Sequence, residues 1–164
     1  MHIDILPAVL EDKIIIRNLL ELCQHDYSEF NAEDVNEHGL FDYPYLDSYW
    51  TEETRKPYLV RIDGKLAGFV LVRLVEDIRG TWVNSISEFF ILWKYRHQGV
   101  GKQVAFWIFK CHPGEWRVAQ EKNNRCSQTF WRKIISQYTR GKFQETQDTT
   151  WDGPVQTFYS NNNR

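Results

Sequence analysis

The 164-residue chain has no apolar run long enough to cross a membrane. It also lacks the apolar core of a secretory signal, because Asp4, Glu11 and Asp12 interrupt its N-terminal apolar residues. A cytoplasmic location is expected. Cysteine is scarce and odd in number: Cys23, Cys111 and Cys126 fall in apolar helical patterns, which predicts buried free thiols rather than a disulfide framework. The histidines at 2, 25, 38, 97 and 112 lack any paired spacing such as H-E-x-x-H, and Cys111-His112 runs directly into Pro113-Gly114. No metal is expected. Internal repeats are absent, and only 160–164 reads as disordered. A net charge of −2 lacks the positive excess of a broad phosphate-binding face, which argues against nucleic acid as a partner. Finally, the stretch between Arg17 and Arg55 has no Lys or Arg at all.

What is present is ordinary globular material, 42% hydrophobic and 26% charged, with seven Trp and ten Phe as large packing groups. A chain of this length buries a sizeable core, so residues 1–164 are expected to form one domain. A strand is expected over 2–6. A helix then starts near Pro7, with Ile16, Leu19, Leu20 and Cys23 on one face. An aromatic and acidic segment runs to about residue 54. Pro57 to Ile62 and Leu66 to Val75 flank Asp63-Gly64, a dipeptide suited to a tight antiparallel hairpin. Further strands are expected at 82–92 and 115–120, helices at 100–111 and 123–138, and a final strand pair at 143–147 and 155–159.

Arg96-His97-Gln98-Gly99-Val100-Gly101 follows the apolar run Phe89-Phe90-Ile91-Leu92 and opens the helical pattern Val100, Val104, Ile108, Cys111. A strand therefore passes through a glycine turn into a helix. Glycine lets a ligand approach the backbone, and the helix's first turn offers N–H groups without intrahelical partners, so the turn suits a phosphate. A dinucleotide fingerprint would need glycine where Val104 stands. A Walker-type loop would need Ser or Thr where Gln103 follows Gly101-Lys102. Both readings fail, and an ordinary β–α connection would use the same residues.

The surviving pattern, Arg-x-x-Gly-x-Gly, resembles the pyrophosphate-binding signature of the GNAT superfamily of N-acyltransferases. Downstream, Asn124-Arg-Cys-Ser127-Gln-Thr-Phe130-Trp131 resembles the family's Asn-x-x-Ala-x-x-Phe-Tyr segment. Asn124 or Asn123 would cap that helix, with Cys126, Phe130 and Ile134 recurring on one face. The two motifs and the strand between them span 84–138, and the element order matches the GNAT layout. The resemblance implies an α/β fold with a central mixed, mostly antiparallel twisted sheet flanked by helices. It also implies acetyl-CoA as cosubstrate. Backbone N–H groups from Gln98 to Lys102, including Gly99, Val100 and Gly101, would hold the pyrophosphate, with Arg96, His97 and Lys94 alongside. The strand edge at Phe90, Ile91 and Leu92 would hold pantetheine, with one amide stabilising the oxyanion, and Asn124 would contact or orient the cofactor arm.

The implied chemistry is direct attack of a primary amine, small or protein-borne, on the thioester. An alkyl amine with a pKa of about 10 is mostly protonated at neutral pH, so a carboxylate is needed to take its proton. Glu88 is the only acidic residue in the strand 82–92, and alternation places it with Ile86, Phe90 and Leu92 unless a bulge intervenes. A neighbouring cation or solvent would serve Glu88 equally well. Glu121 is the second candidate. Two departures stand out: Trp93 where proline is frequent, and Trp131 where many members have a tyrosine that protonates the thiolate. Tyr138, about 10 Å further along the helix, cannot take over that position. A non-catalytic acyl-CoA sensor therefore stays open, as does a homodimer.

The acceptor is addressed by charge. The ten acidic residues between Arg17 and Arg55 carry −10 of a total of −2, leaving +8 on the remainder, which contains the phosphate turn. Asp26, Tyr27 and Glu29 are the substrate candidates, attracting a cationic amine, with Tyr43, Tyr45, Tyr49 and Trp50 adding cation–π contacts. A solvated acidic surface with core aromatics is the competing reading.

Overall fold

A computed structural model describes residues 1–147 and 151–161. Asp63 and Gly64 both adopt left-handed backbone, with φ of 48° and 77°, the conformation a two-residue hairpin turn requires. They fold Arg55–Ile62 (β2) back toward Lys65–Glu76 (β3). Ile3–Pro7 (β1) pairs antiparallel with β2, from Ile3 opposite Ile62 to Pro7 opposite Tyr58. Pro7 thus ends a strand on the sheet's edge rather than opening a helix, and a 3-10 turn at Leu10–Asp12 precedes Lys13–Asn31 (α1).

The remaining elements are Ser48–Thr51 (α2), Trp82–Ile91 (β4), Val100–Cys111 (α3), Gly114–Ala119 (β5), Arg125–Thr139 (α4), Gln144–Gln147 (β6) and Pro154–Ser160 (β7). The seven strands form one sheet in the order β1-β2-β3-β4-β5-β7-β6. β4 and β5 run parallel, through Asn84 opposite Trp116 and Ser85 opposite Arg117, whereas β7 is antiparallel to both β5 and β6. The architecture is α/β, a mixed and mostly antiparallel sheet flanked by helices.

Contacts gather into two units. The first comprises Met1–Val72 and Ser87–Tyr95. There Ile16, Leu19, Leu20 and Cys23, spaced to share one face of α1, bury against Leu59, Phe69, Leu71 and Phe90 of the strands. The second comprises Arg73–Ile86 and Arg96–Arg164. Its core centres on Phe109 of α3, whose ring meets those of Trp116, Trp131, Tyr138 and Phe158 at centroid distances of 4.9 to 6.3 Å.

Three expectations are corrected. Cys111 and Cys126 are exposed; only Cys23 is buried. The buried face of α4 carries Trp131, Ile134, Ile135 and Tyr138, leaving Cys126 toward solvent, because the helix begins at Arg125 and its apolar stripe starts one turn later. Of the segment 160–164, Ser160 is buried at the end of β7, with its hydroxyl bound to the Phe109 carbonyl at 2.7 Å, and 162–164 lie outside the described residues.

Candidate active site

In the second unit the chain reaches α3 through two left-handed residues, His97 at φ 61° and Gly99 at φ 79°. Gly99 is the N-cap of α3, and it offers no side chain to bond the first-turn N–H groups. The helix is fixed from below by Val100, Val104, Ala105 and Ile108, all fully buried. Its amino end therefore presents backbone donors and the positive end of the helix dipole on a rigid mount. Gly101 is half-buried, and exposed Lys102 carries its Nζ 5.4 Å from the Phe106 ring centroid. Arg96 is half-buried, and Gln98 and His97 are exposed.

In the same unit, Asn124 caps α4: its Oδ1 accepts the Ser127 N–H at 2.9 Å. The side-chain oxygen is thus committed to the helix. Trp131 is a core residue, 5% exposed, and the Tyr138 hydroxyl is bonded to Ser160 Oγ at 2.7 Å. Neither supplies an available acid. Glu121 is half-buried beyond β5, and its carbonyl accepts from Gln128.

In the first unit, the end of β4 is held close to β3. The Leu92 N–H donates to Ala67 O at 2.8 Å, and a Cβ on Gly68 would fall 2.0 Å from the Phe90 carbonyl oxygen. Leu92 O accepts the Tyr95 N–H at 2.9 Å. The expectation that Leu92 hydrogen-bonds pantetheine is corrected for its amide, since that N–H is already spent on Ala67 O.

Glu88 faces α1, where Cys23 Sγ donates to its Oε2 at 3.7 Å. Burial pushes the Cys23 thiol well up, and the Glu88 carboxylate adds to the effect, with Asp26 contributing further. Tyr27 hydrogen-bonds the same sulfur and opposes the shift. The structure thus gathers Glu88, Asp26 and Tyr27 around Cys23, while Glu29 points to solvent. Sequence reasoning did not connect Cys23 to Glu88, although its place in the buried stripe of α1 was the available signal.

The acidic segment is partly neutralised by cations at its borders. Arg17 pairs with Glu21, Lys13 with Asp47, and Arg55 with Glu52 at 2.9 Å. Tyr45 and Tyr49 carry the chain's own Arg55 at 5.7 and 5.4 Å, and the Trp50 indole donates to Ala8 O. Tyr49 is a core residue, and both it and the exposed Tyr45 take the chain's own Arg55 in place of the expected bound amine. Among the described residues, no three His, Cys, Asp or Glu side chains form a group able to hold a metal ion, and no helix is long and apolar enough to cross a membrane.

Comparison with known proteins adds ancestry to this geometry. An acetyltransferase from Thermus thermophilus superposes with a TM-score of 0.71 at 14% identity, over 97% of each chain. The ribosomal-protein-S18-alanine N-acetyltransferase from Escherichia coli gives 0.62 at 10% identity, over 97% of this chain and 94% of that one. AAC(6')-Iy in complex with the bisubstrate analogue CoA-S-monomethyl-acetylneamine gives 0.59 at 19%, over 82% and 90%. No curated relative matches in sequence. The profile of the acetyltransferase (GNAT) family, whose members use acetyl-CoA, matches residues 16–133, more than half of the chain. With that match the chain belongs to the acetyltransferase (GNAT) family and is an N-acetyltransferase enzyme.

Proposed function

We propose that the protein transfers the acetyl group of acetyl-CoA to a primary amine, a small cationic one, by direct attack within a ternary complex in the cytosol. The observation that carries the proposal is the uncapped amino end of α3 behind left-handed Gly99, a donor set matched to a pyrophosphate. Gln98 to Lys102 would hold the phosphates, with Arg96 and His97 alongside; Phe90 and Ile91 would border the pantetheine arm and Asn124 would orient it. Glu88 would take the proton of the bound ammonium. The freed amine attacks the thioester carbonyl, the C–N bond forms, the C–S bond breaks, and the proton that the attacking nitrogen then loses passes through water to the departing thiolate, since the Trp131 indole cannot serve as the acid. No covalent enzyme intermediate is required, because the thioester is already activated and holding the two reactants together supplies much of the rate.

Two proteins of the same fold add support: one is named a ribosomal-protein-S18-alanine N-acetyltransferase, and the other is in complex with a bisubstrate analogue that joins CoA to an acetylneamine. Asp26 and Tyr27 on α1, beside Cys23 and thus near Glu88, and Glu29 further along that helix, would favour a cation. The test is incubation with labelled acetyl-CoA and a panel of cationic, neutral and anionic amines. Transfer of label to cationic amines is the expected result. Tight CoA binding with no transfer to any amine would leave a sensor.

A further inference from the structure

We propose that Cys23 is a positioning residue for Glu88: its thiol, backed by the Tyr27 hydroxyl, holds the carboxylate on the α1 side in the orientation needed for proton abstraction. The inference rests on the reading of Glu88 as the base.

Cys23 is 1% exposed, and its sulfur lies 3.7 Å from Glu88 Oε2. Tyr27, one helical turn further along α1, hydrogen-bonds the same sulfur. A hydroxyl, a thiol and a carboxylate therefore form a chain leading from α1 to β4. Asp26 on α1 acts electrostatically on the same thiol, and Tyr43 and Tyr49 pack in the same cluster. Because burial and the adjacent carboxylate both disfavour the thiolate, the sulfur keeps its proton across the working pH range and stays a donor. A nucleophilic role is thereby excluded, since only the thiolate attacks.

The choice of thiol has a chemical consequence. A strong donor such as an amide or hydroxyl would fix the carboxylate but stabilise its charged form, making it a poorer base. The S–H group is a weak donor, so it orients Oε2 while removing less basicity. Cysteine is also small and apolar enough to sit in the same cluster as Leu19, Leu20 and Phe90.

The experiment uses the full chain with Cys111→Ser and Cys126→Ser, so that Cys23 supplies the only thiol, and acetyl-CoA with whichever amine reacts fastest in the panel. Cys23→Ala should lower kcat about three- to tenfold, the range of one lost hydrogen bond, with KM for acetyl-CoA unchanged. It should also move the acidic limb of the kcat–pH profile upward. Cys23→Ser should recover only part of kcat and move that limb below the parent's. In a Glu88→Gln background, Cys23→Ala should cost nothing further. Tyr27→Phe, which keeps the ring, should show a smaller change of the same direction and serves if Cys23→Ala does not fold. An unmoved pH limb in Cys23→Ala, or a loss that persists undiminished in the Glu88→Gln background, would overturn the proposal. The infrared S–H stretch of Cys23 separates the two readings. If it relaxes to a free-thiol frequency in Glu88→Gln while activity is retained, the contact stands and the base assignment fails. If it does not respond to Glu88→Gln, the positioning contact itself fails.

Discussion

Glu88 is a single carboxylate on a strand whose inward neighbours are apolar, and the proposed role as a base would need it held, not merely present. Glu88→Gln keeps shape and removes basicity, so kcat should fall by about 100- to 10,000-fold with acetyl-CoA affinity nearly unchanged. The loss should shrink at high pH, where the amine deprotonates without help. Steady-state rates across pH give the check, and activity within about twofold of the parent throughout would make Glu88 structural. At this scale the sequence was legible in part. Glu88 could be picked out because it is the lone acid in its strand, and strand alternation put it with Phe90 and Leu92, which the α1 core contains. Its partner Cys23 lies 65 residues away, and no local pattern announces a contact across that separation. Leu92 looked like an open strand edge because sequence shows apolar periodicity and not which N–H is already bonded.

Elements were more legible than contacts. The α3 boundaries, Val100–Cys111, follow directly from the glycine turn and the apolar spacing behind it, since a helix can start only after the left-handed residue at Gly99. That start makes a sharp prediction. Gly101→Glu places bulk and negative charge in the first turn, where phosphates would sit, and should abolish the rise in Tm that CoA produces in the parent. Undiminished CoA binding by the folded variant would refute the assignment. On α4, Asn124→Ala removes the only side-chain cap and should cost about 1 kcal/mol, read as a lowered Tm without ligand. The same helix is tied to edge strand β6 by Arg132, whose guanidinium grips Glu145 at 2.8 Å and, with Gln156, holds that carboxyl below the ordinary carboxylate range. A carboxyl depressed in the folded state contributes stability above its unfolded pKa and loses it as pH falls through the lower folded value. Glu145→Gln should therefore lower Tm at neutral pH, and the gap to the parent should close on acidification below the usual carboxylate range. What the pattern misjudged was the α4 face: Cys126, Phe130 and Ile134 share a four-residue spacing, but the large indole of Trp131 decides which side turns inward.

At the scale of the whole molecule, charge is segregated along the chain, with −10 between Arg17 and Arg55 against +8 elsewhere. Folding reduces the contrast, because Lys13, Arg17 and Arg55 reach the borders of the acidic stretch and pair with Asp47, Glu21 and Glu52. Sequence counting could not show this, since Lys13 and Asp47 are brought together only by the tertiary fold. Asp26, Glu29, Glu33 and Asp34 follow one another around the end of α1 and carry the field there. If that field draws a cationic acceptor, the specificity constant for such an amine should fall as salt rises, because screening acts over about 8 Å at physiological ionic strength. Neutralising the four together should raise KM for the cationic amine and flatten its salt dependence, while acetyl-CoA affinity changes little. Neutral acceptors should be indifferent to both changes, which separates attraction from a general loss of structure. A panel in which anionic amines react best, or a quadruple variant with the parent's salt profile, would reduce the acidic stretch to a solvated surface whose carboxylates serve solubility rather than selection.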